Sequence, residues 1–408
     1  MNILYLAHRI PYPPNKGDKI RAFNEIKFLS RRHTVDVCCL VDTPADERHV
    51  EPLKKYCRTV TYVKINAKLK KAFSVLSAIF SGKTCTEIFF HSKKLQRQID
   101  QLISGGNYDI IYIFCSSMAS YVRNAGNIAR VIDFVDIDSD KWIQYAKYAR
   151  FPLKWLFRRE GELLQKLECE ILSWTQASFL VTERETEFFA HLPHGNKVYA
   201  IPNGIDRGFF DIDKTPCDDF LSGENYVCFT GAMDYFPNED AVVFFYEKIY
   251  PLIKPHAPGL KFYIVGSNPT DKVRKLADDK DVVVTGTVDD IRPYIRHAKI
   301  SVIPLRMARG IQNKILEAIS MGLPVVCTSN AAEGLALRNG IDFYVEDDES
   351  KFAQRTLELL NNPCLKNEMV RSAQMLIDQF YDWENNLNKM ESVMASAVKI
   401  KKNAEGGI

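Results

Sequence analysis

The chain has 408 residues, long enough for two or three domains of about 150 residues each. Apolar residues make up 46% and charged residues 26%, which excludes a disordered or fibrous chain and fits an ordinary globular one. A net charge of +3 leaves no global field that would select nucleic acid. Ten cysteines are scattered without a C-x-x-C pair, and several (Cys38, Cys39, Cys115, Cys228, Cys327) fall inside apolar runs, where they read as small buried hydrophobes. Neither a zinc site nor a disulfide framework is indicated. The start, "MNILYLAHRIPYPP", lacks the basic and long apolar regions of a signal peptide, and no apolar stretch approaches the roughly 18 residues of a membrane span. A cytoplasmic protein with reduced cysteines is expected.

In chain order, strand-like segments at 2–7, 35–41, 60–65, 110–114, 130–135, 178–181 and 197–201 alternate with helical spacing such as "DKIRAFNEIKFLSRR". The strands are continuous apolar runs, the mark of a parallel sheet covered on both faces. A second set at 226–230, 261–265, 282–285, 299–305, 324–328 and 342–345 repeats the plan, with breaks at Gly231, Gly266, Gly286 and Arg306. The fold class is therefore α/β, with two Rossmann-like parallel-sheet domains. Between them lies "IPNGIDRGFFDIDKTPCDDFLSGE", and the hinge is placed at 203–206. After residue 347 the sequence reads as helical to about 398, followed by a polar tail expected to fray.

Ligands of open α/β sheets bind beyond the carboxyl ends of the strands. There, "RMARGIQNKILEAISMGLPVV" places Arg306, Arg309 and Lys314 where a loop becomes a helix, with Gly310 read as the helix start and Ile311 on its apolar stripe. A helix start is the positive end of the dipole, so these cations carry the wrong sign for it. The segment "PNEDAVVFF" does the opposite, with Asn238 read as N-cap and Glu239 and Asp240 in the first turn. A phosphate or diphosphate would relieve the clash at Lys314, and Glu317, three residues on, can accept hydrogen bonds from ribose hydroxyls. The bland alternative is a solvated Lys–Glu surface pair. Gly231, Gly266 and Gly17 end or follow strands on ligand edges, where each is either a tight turn or a close approach to phosphate.

"VIDFVDIDSDKW" holds Asp133, Asp136, Asp138 and Asp140. Lys141 and Lys147 stand where a calcium loop needs Gly and Glu, so metal is not expected. These acids either cap the next helix, through Asp138 or Ser139, or orient a hydroxyl or act as a general base. "AKLKKAFSVLSAIFSGK", residues 67–83, joins lysines to Phe and Leu. It reads as a core helix with solvated lysines or, more sharply, as an interfacial helix on anionic lipid at the inner face of the plasma membrane. "YARFPLKWLFRRE" could belong to the same basic, aromatic surface. No G-x-G-x-x-G follows a strand, which argues against a dinucleotide oxidoreductase. His8, His91 and His297 show no metal spacing.

The segments "FTGAMDYFPNEDAVVFF", "FYIVGSNPTDKVRKLA", "VVVTGTVDDIRPYIRHAKISVIPLRMARGIQNKILEAISMGLPVV" and "IPNGID" resemble family 4 glycosyltransferases of the GT-B fold. "AHRIPYPPNKGDKIRAFNEIKFL", "VIDFVDIDSDKWIQYA", "RREGELLQKLE" and "YDWENNL" extend the likeness to bacterial sugar transferases associated with exopolysaccharide and PEP-CTERM gene clusters. The resemblance implies two domains facing across a cleft: an acceptor-side domain, 1–203, and a nucleotide-sugar domain, 204–379, with a final helix near 380–398 returning to the first. It also implies retaining transfer with no catalytic metal and no cofactor beyond the donor. Glu317 would hold the ribose and Gly231 would approach the diphosphate. The family's first acid, eight residues before Glu317, is Arg309 here, and its Arg and Lys after the Gly231 strand are absent. Arg306, Arg309 and Lys314 are expected to take over the diphosphate. Where many relatives carry a His after the fifth strand, Asp133 or Asp136 is the available substitute. The expected reaction is transfer of a sugar from a nucleoside diphosphate sugar to a hydroxyl of a growing, lipid-linked glycan. The rival expectations are a sugar-nucleotide epimerase and a silent nucleotide-sugar-binding protein.

Overall fold

The computed structural model describes residues 1–14, 17–308 and 310–406. The chain divides into two compact units: Met1–Pro202 together with the residues from Glu384 on, and Asn203–Trp383.

Unit one is built on seven parallel strands: β1 (Asn2–Ala7), β2 (Thr34–Val41), β3 (Thr59–Lys64), β4 (Ile110–Phe114), β5 (Ala129–Val135), β6 (Ala177–Leu180) and β7 (Val198–Ala200), in the order β3-β2-β1-β4-β5-β6-β7. In β1, β2, β4, β5 and β6 nearly every residue is buried, so both faces are covered; the edge strands β3 and β7 are more exposed. That difference is why the central strands read as unbroken apolar runs. Unit two has six parallel strands: β8 (Tyr226–Thr230), β9 (Lys261–Val265), β10 (Val282–Gly286), β11 (Ile300–Ile303), β12 (Val325–Cys327) and β13 (Tyr344–Val345), in the order β10-β9-β8-β11-β12-β13. Each sheet reverses its strand order once, between β1 and β4 and between β8 and β11.

A buried ionic cluster ties unit one together. Arg21, on the helix Gly17–Leu29, is fully buried; its Nε lies 2.6 Å from Asp133 Oδ2 and its Nη1 donates to the carbonyl of Ile201 at 2.8 Å. Glu25, one turn on, lies 3.2 Å from the same guanidinium and accepts from Tyr5 Oη at 2.6 Å. Burial, reinforced by Asp133, raises the Glu25 pKa well above its ordinary value, with Arg21 opposing.

The last helix, Trp383–Gly406, joins this unit. Leu387, Met390, Met394 and Ala397 form its buried stripe, and the Tyr112 hydroxyl meets Met390 Sδ at 3.2 Å. Glu391 takes Arg32 and His33, both at 2.7 Å. The stretch after 398, expected to fray, continues this helix to Gly406.

Replacing Arg21 by Met strands the Asp133 carboxylate without a countercharge. A loss on the order of 3–5 kcal/mol in urea unfolding is expected, against about 1 kcal/mol for Tyr112→Phe. Equal, small losses for both would mean that the Arg21–Asp133 pair does not hold the fold.

Candidate functional site

At the reversal in unit two, the chain leaving β8 and the chain leaving β11 part, which is where open α/β sheets form a crevice. Gly231 follows β8 with φ 154°; a Cβ there would lie 2.7 Å from Asn238 Nδ2 and 3.1 Å from Lys314 Nζ. Gly266, following β9 at the same φ, would place a Cβ 1.7 Å from the Gly231 carbonyl oxygen. Neither position accepts a side chain, so bare backbone lines this edge.

Lys314 comes from the other side. Its helix is Asn313–Ser320, starting three residues later than Gly310. Gly310 has φ 64°, a left-handed conformation that a right-handed helix cannot include, so 310–312 stay in the loop. The start at Gln312 has no side-chain cap hydrogen bond among the described residues, so no capping oxygen covers the first backbone N–H groups of this helix. Lys314 Nζ donates to Asn238 Oδ1 at 2.8 Å and sits 3.9 Å from the centroid of the Phe229 ring. Both partners are neutral, and among the described residues no carboxylate oxygen lies within ion-pair distance of Nζ. Burial lowers the Lys314 pKa to about 7, Glu317 opposing. Burial likewise raises Glu317 to about 7, Lys314 opposing. Among the described residues, no hydrogen-bond donor reaches the Glu317 carboxyl. The two groups can therefore carry little net charge near neutrality until an anion and a donor arrive.

Asn238 is not the helix cap read from the sequence. The helix is Phe236–Phe244 with Tyr235 before it and a proline in its first turn, which suits a helix start and sets Asn238 at the third helical position. There the Asn238 amide donates to the Ala232 carbonyl at 2.9 Å and offers its oxygen to Lys314. Arg306 also departs from expectation. Its Nε pairs with Asp240 Oδ2 at 2.9 Å and its guanidinium stacks on Phe244 at 4.7 Å, so Asp240 answers its charge. Arg309 lies outside the described residues. Ile311 is buried beside the loop.

At the reversal in unit one, Gly17 opens the helix Gly17–Leu29 with no atom near its Cβ position, so packing does not require a glycine there. Beside it, Asp18 lies 3.1 Å from His8 Nε2 and 3.5 Å from Arg9. Burial would raise the Asp18 pKa, but His8 and Arg9 outweigh it and hold the carboxyl well below the usual range. Asp133, expected as a catalytic candidate, is fully buried with both oxygens engaged: Oδ2 by Arg21 and Tyr112, Oδ1 by the Val135 N–H at 2.8 Å. Its partners are those of a structural group. Asp136, three residues on, is half-buried beyond the strand end, and burial, with Asp138 adding and Lys141 opposing, raises it to about 6. The pairing of β5 with β6 shifts register between Asp133 and Val135, and Val135 takes φ 67°. Cys115, ending the neighbouring β4, has φ 71°. Positive φ at a valine costs roughly 1–3 kcal/mol. The capping reading of Asp138 and Ser139 does not hold among the described residues. Asp138 accepts from Ser116 Oγ at 2.9 Å, and Ser139 Oγ donates to Glu168 at 2.6 Å.

The architecture, two Rossmann-like parallel-sheet units, is that of the GT-B glycosyltransferases. Residues 224–362, most of unit two, match the family described as Glycosyl transferases group 1. The chain is 20% identical to an uncharacterized 44.6 kDa protein in the cps region of Klebsiella pneumoniae, over 93% of this chain and 96% of that one. Its fold matches Anabaena Alr3699/HepE in complex with UDP and glucose, with a TM-score of 0.71 at 14% identity over 97% of this chain and 100% of that one. A sucrose-phosphate synthase from Thermosynechococcus elongatus matches with a TM-score of 0.70 at 14% identity over 97% and 98%.

In reductively 13C-methylated protein, one dimethyl-lysine resonance should titrate near pH 7 and vanish in Lys314→Arg. If every lysine titrates in the ordinary range near ~10.4, the burial argument at Lys314 fails.

Proposed function

We propose that this protein is a glycosyltransferase of family 4 type. It would move a hexosyl group from a nucleoside diphosphate sugar to a hydroxyl of a growing lipid-linked exopolysaccharide glycan at the cytoplasmic membrane face, retaining the anomeric configuration and using no catalytic metal. The observation that carries this reading is Lys314: a half-buried amine with only neutral partners, 3.1 Å from where any side chain on Gly231 would begin, at the reversal of a parallel sheet. In this reading the diphosphate lies against the Gly231 and Gly266 backbones and the uncapped helix start, and Lys314 neutralises the charge that builds as the bond from the anomeric carbon to the phosphate oxygen breaks. Glu317, one turn along and unclaimed by protein donors, accepts from the ribose hydroxyls. Arg309, in the same loop by sequence, supplies a second cation, while Arg306, through Asp240, braces the loop. On the acceptor unit, Asp136 takes the hydrogen bond of the attacking hydroxyl. The Anabaena structure in complex with UDP and glucose supports the substrate class.

One observation favours a silent nucleotide-sugar binder instead: Arg309 stands where the resembled family carries its first acid. Such a protein would bind the diphosphate yet show neither transfer nor slow donor hydrolysis.

A thermal-shift panel of UDP, GDP and ADP with their sugars should single out one base. With that donor, Lys314→Ala should cut kcat/KM on the order of 10²-fold or more, and Glu317→Ala should weaken donor binding. Variants with intact affinity and turnover would refute the site.

Proton linkage gives an independent check. An anion raises the Lys314 pKa from about 7, so donor binding at pH 8 should take up a proton, since the free amine is then mostly neutral. Ribose hydroxyls lower the Glu317 pKa from about 7, so binding at pH 6 should release one, since the free carboxyl is then mostly protonated and Lys314 already charged. Calorimetry in buffers of different ionisation enthalpy reads both signs, and the pH 8 uptake should disappear in Lys314→Ala.

A further inference from the structure

The helix Ala67–Ser81 in unit one is turned inside out. Ser74 and Ala78, its small residues, are buried, while Leu69, Phe73, Leu76 and Phe80 are 70%, 64%, 63% and 89% exposed. Spaced by four, three and four, those four side chains form one apolar stripe, and it faces solvent. The core-helix reading of this segment is therefore overturned. The orientation is fixed at several points: Asn66 caps the Leu69 N–H at 3.2 Å, Lys70 Nζ donates to the carbonyls of Phe89 and His91, and Arg159 donates to the Ala78 carbonyl at 2.6 Å.

Arg159 brings a second exposed apolar segment to the same corner. One turn before it stands Trp155, 51% exposed, and Phe151, in the connection between helices Asp138–Tyr148 and Leu153–Trp174, is 84% exposed. Glu160, next to Arg159, accepts from the N–H groups of Cys85 and Thr86 at 2.7 and 2.9 Å, fixing the start of the helix that follows the stripe. Both segments are basic without a single acid. Residues 67–83 contain four lysines, and residues 147–159 contain Lys147, Arg150, Lys154, Arg158 and Arg159. In a chain of net charge +3 this is a local concentration of one sign.

Exposed apolar area of this extent marks an interaction surface. We propose that this face docks on an anionic phospholipid bilayer, Phe73, Phe80, Phe151 and Trp155 entering the interfacial layer and the surrounding cations meeting headgroup phosphates. A second copy would bring like charge against like charge, and a bilayer presents an anionic layer above an apolar one, matching basic flanks around aromatic tips. No helix among the described residues is long and apolar enough to cross a membrane, so the attachment is to the surface. The inference rests on residues outside the nucleotide site and stands or falls without it.

The test is sedimentation of the full chain with vesicles of phosphatidylcholine alone and of phosphatidylcholine with phosphatidylglycerol. Binding to the anionic vesicles only, weakened by salt and reduced at least about tenfold in Phe73→Ser/Phe80→Ser and in Lys147→Glu/Lys154→Glu, is expected. Tryptophan emission should shift to the blue on anionic vesicles, and less so in Trp155→Phe, a readout that needs no stripe variant to fold. Absence of vesicle binding, equal binding to both compositions, or a concentration-dependent dimer abolished by Phe73→Ser/Phe80→Ser would overturn the proposal, the last by assigning the face to a second copy. Nucleotide-induced thermal shifts in the same variants should equal those of the unmodified protein, which separates failure here from failure at Lys314.

Discussion

The pairing of Arg21 with Asp133 sets the geometry of the carboxyl edge of the first sheet. Removing two charges from water is expensive, and further hydrogen bonds offset part of the cost here: the Ile201 carbonyl, the Val135 N–H and the Tyr112 hydroxyl all join the pair. Glu25, one turn along, lies against the same guanidinium, and burial raises its pKa. The pair also holds Asp133 inward at the last turn of β5. The backbone responds with a register shift and a left-handed Val135, and Asp136 is left beyond the sheet at a raised pKa. Fold stability and the direction of an acidic side chain thus share one cause.

The second sheet has the same strand reversal and the opposite electrostatics. Where Arg21 is enclosed by a carboxylate, Lys314 is enclosed by an amide oxygen and a ring face, partners that tolerate an ammonium without neutralising it. Asp240, on the helix that carries Asn238, is taken by Arg306. Desolvation that outweighs their mutual attraction is what brings Lys314 and Glu317 together near 7. A stability-driven arrangement would have placed an acid in the first turn, as the helix Phe236–Phe244 does with Glu239.

Most of the fold was legible because buried parallel strands have a simple sequence signature. All thirteen strands fall within a residue or two of the apolar runs; the run 299–305 continues two residues past β11 (Ile300–Ile303), through the buried Pro304 and Leu305. The site was legible where a sign conflict showed, at Lys314 and Glu317. It was not legible where partners come from far along the chain: nothing near Arg306 reveals Asp240, and nothing near Asp133 reveals Arg21. Asn238 was misread because a local rule, Asn before acids, competes with the proline that starts the helix earlier. Val135 gave no warning, since valine is a strand former and its left-handed backbone is imposed from outside. For residues 67–83 periodicity shows that one face is apolar but not which way it turns; the small residues Ser74 and Ala78, spaced by one turn, were the available clue.

An amine poised near neutrality suits a group that must answer a charge which comes and goes. A permanently ionised, fully paired cation such as Arg21 has spent its field on its partner and responds little to a ligand. Lys314, held at the edge of deprotonation by neutral surroundings, gains most when an anion arrives, because the same low-dielectric walls that penalise the lone charge strengthen its attraction to an opposite one. In the proposed reaction that gain grows as the leaving diphosphate accumulates charge, so stabilisation is larger at the transition state than in the bound ground state. The uncapped helix start and the side-chain-free glycines serve the same end, since they let fixed backbone dipoles approach without a water layer between them and the developing charge.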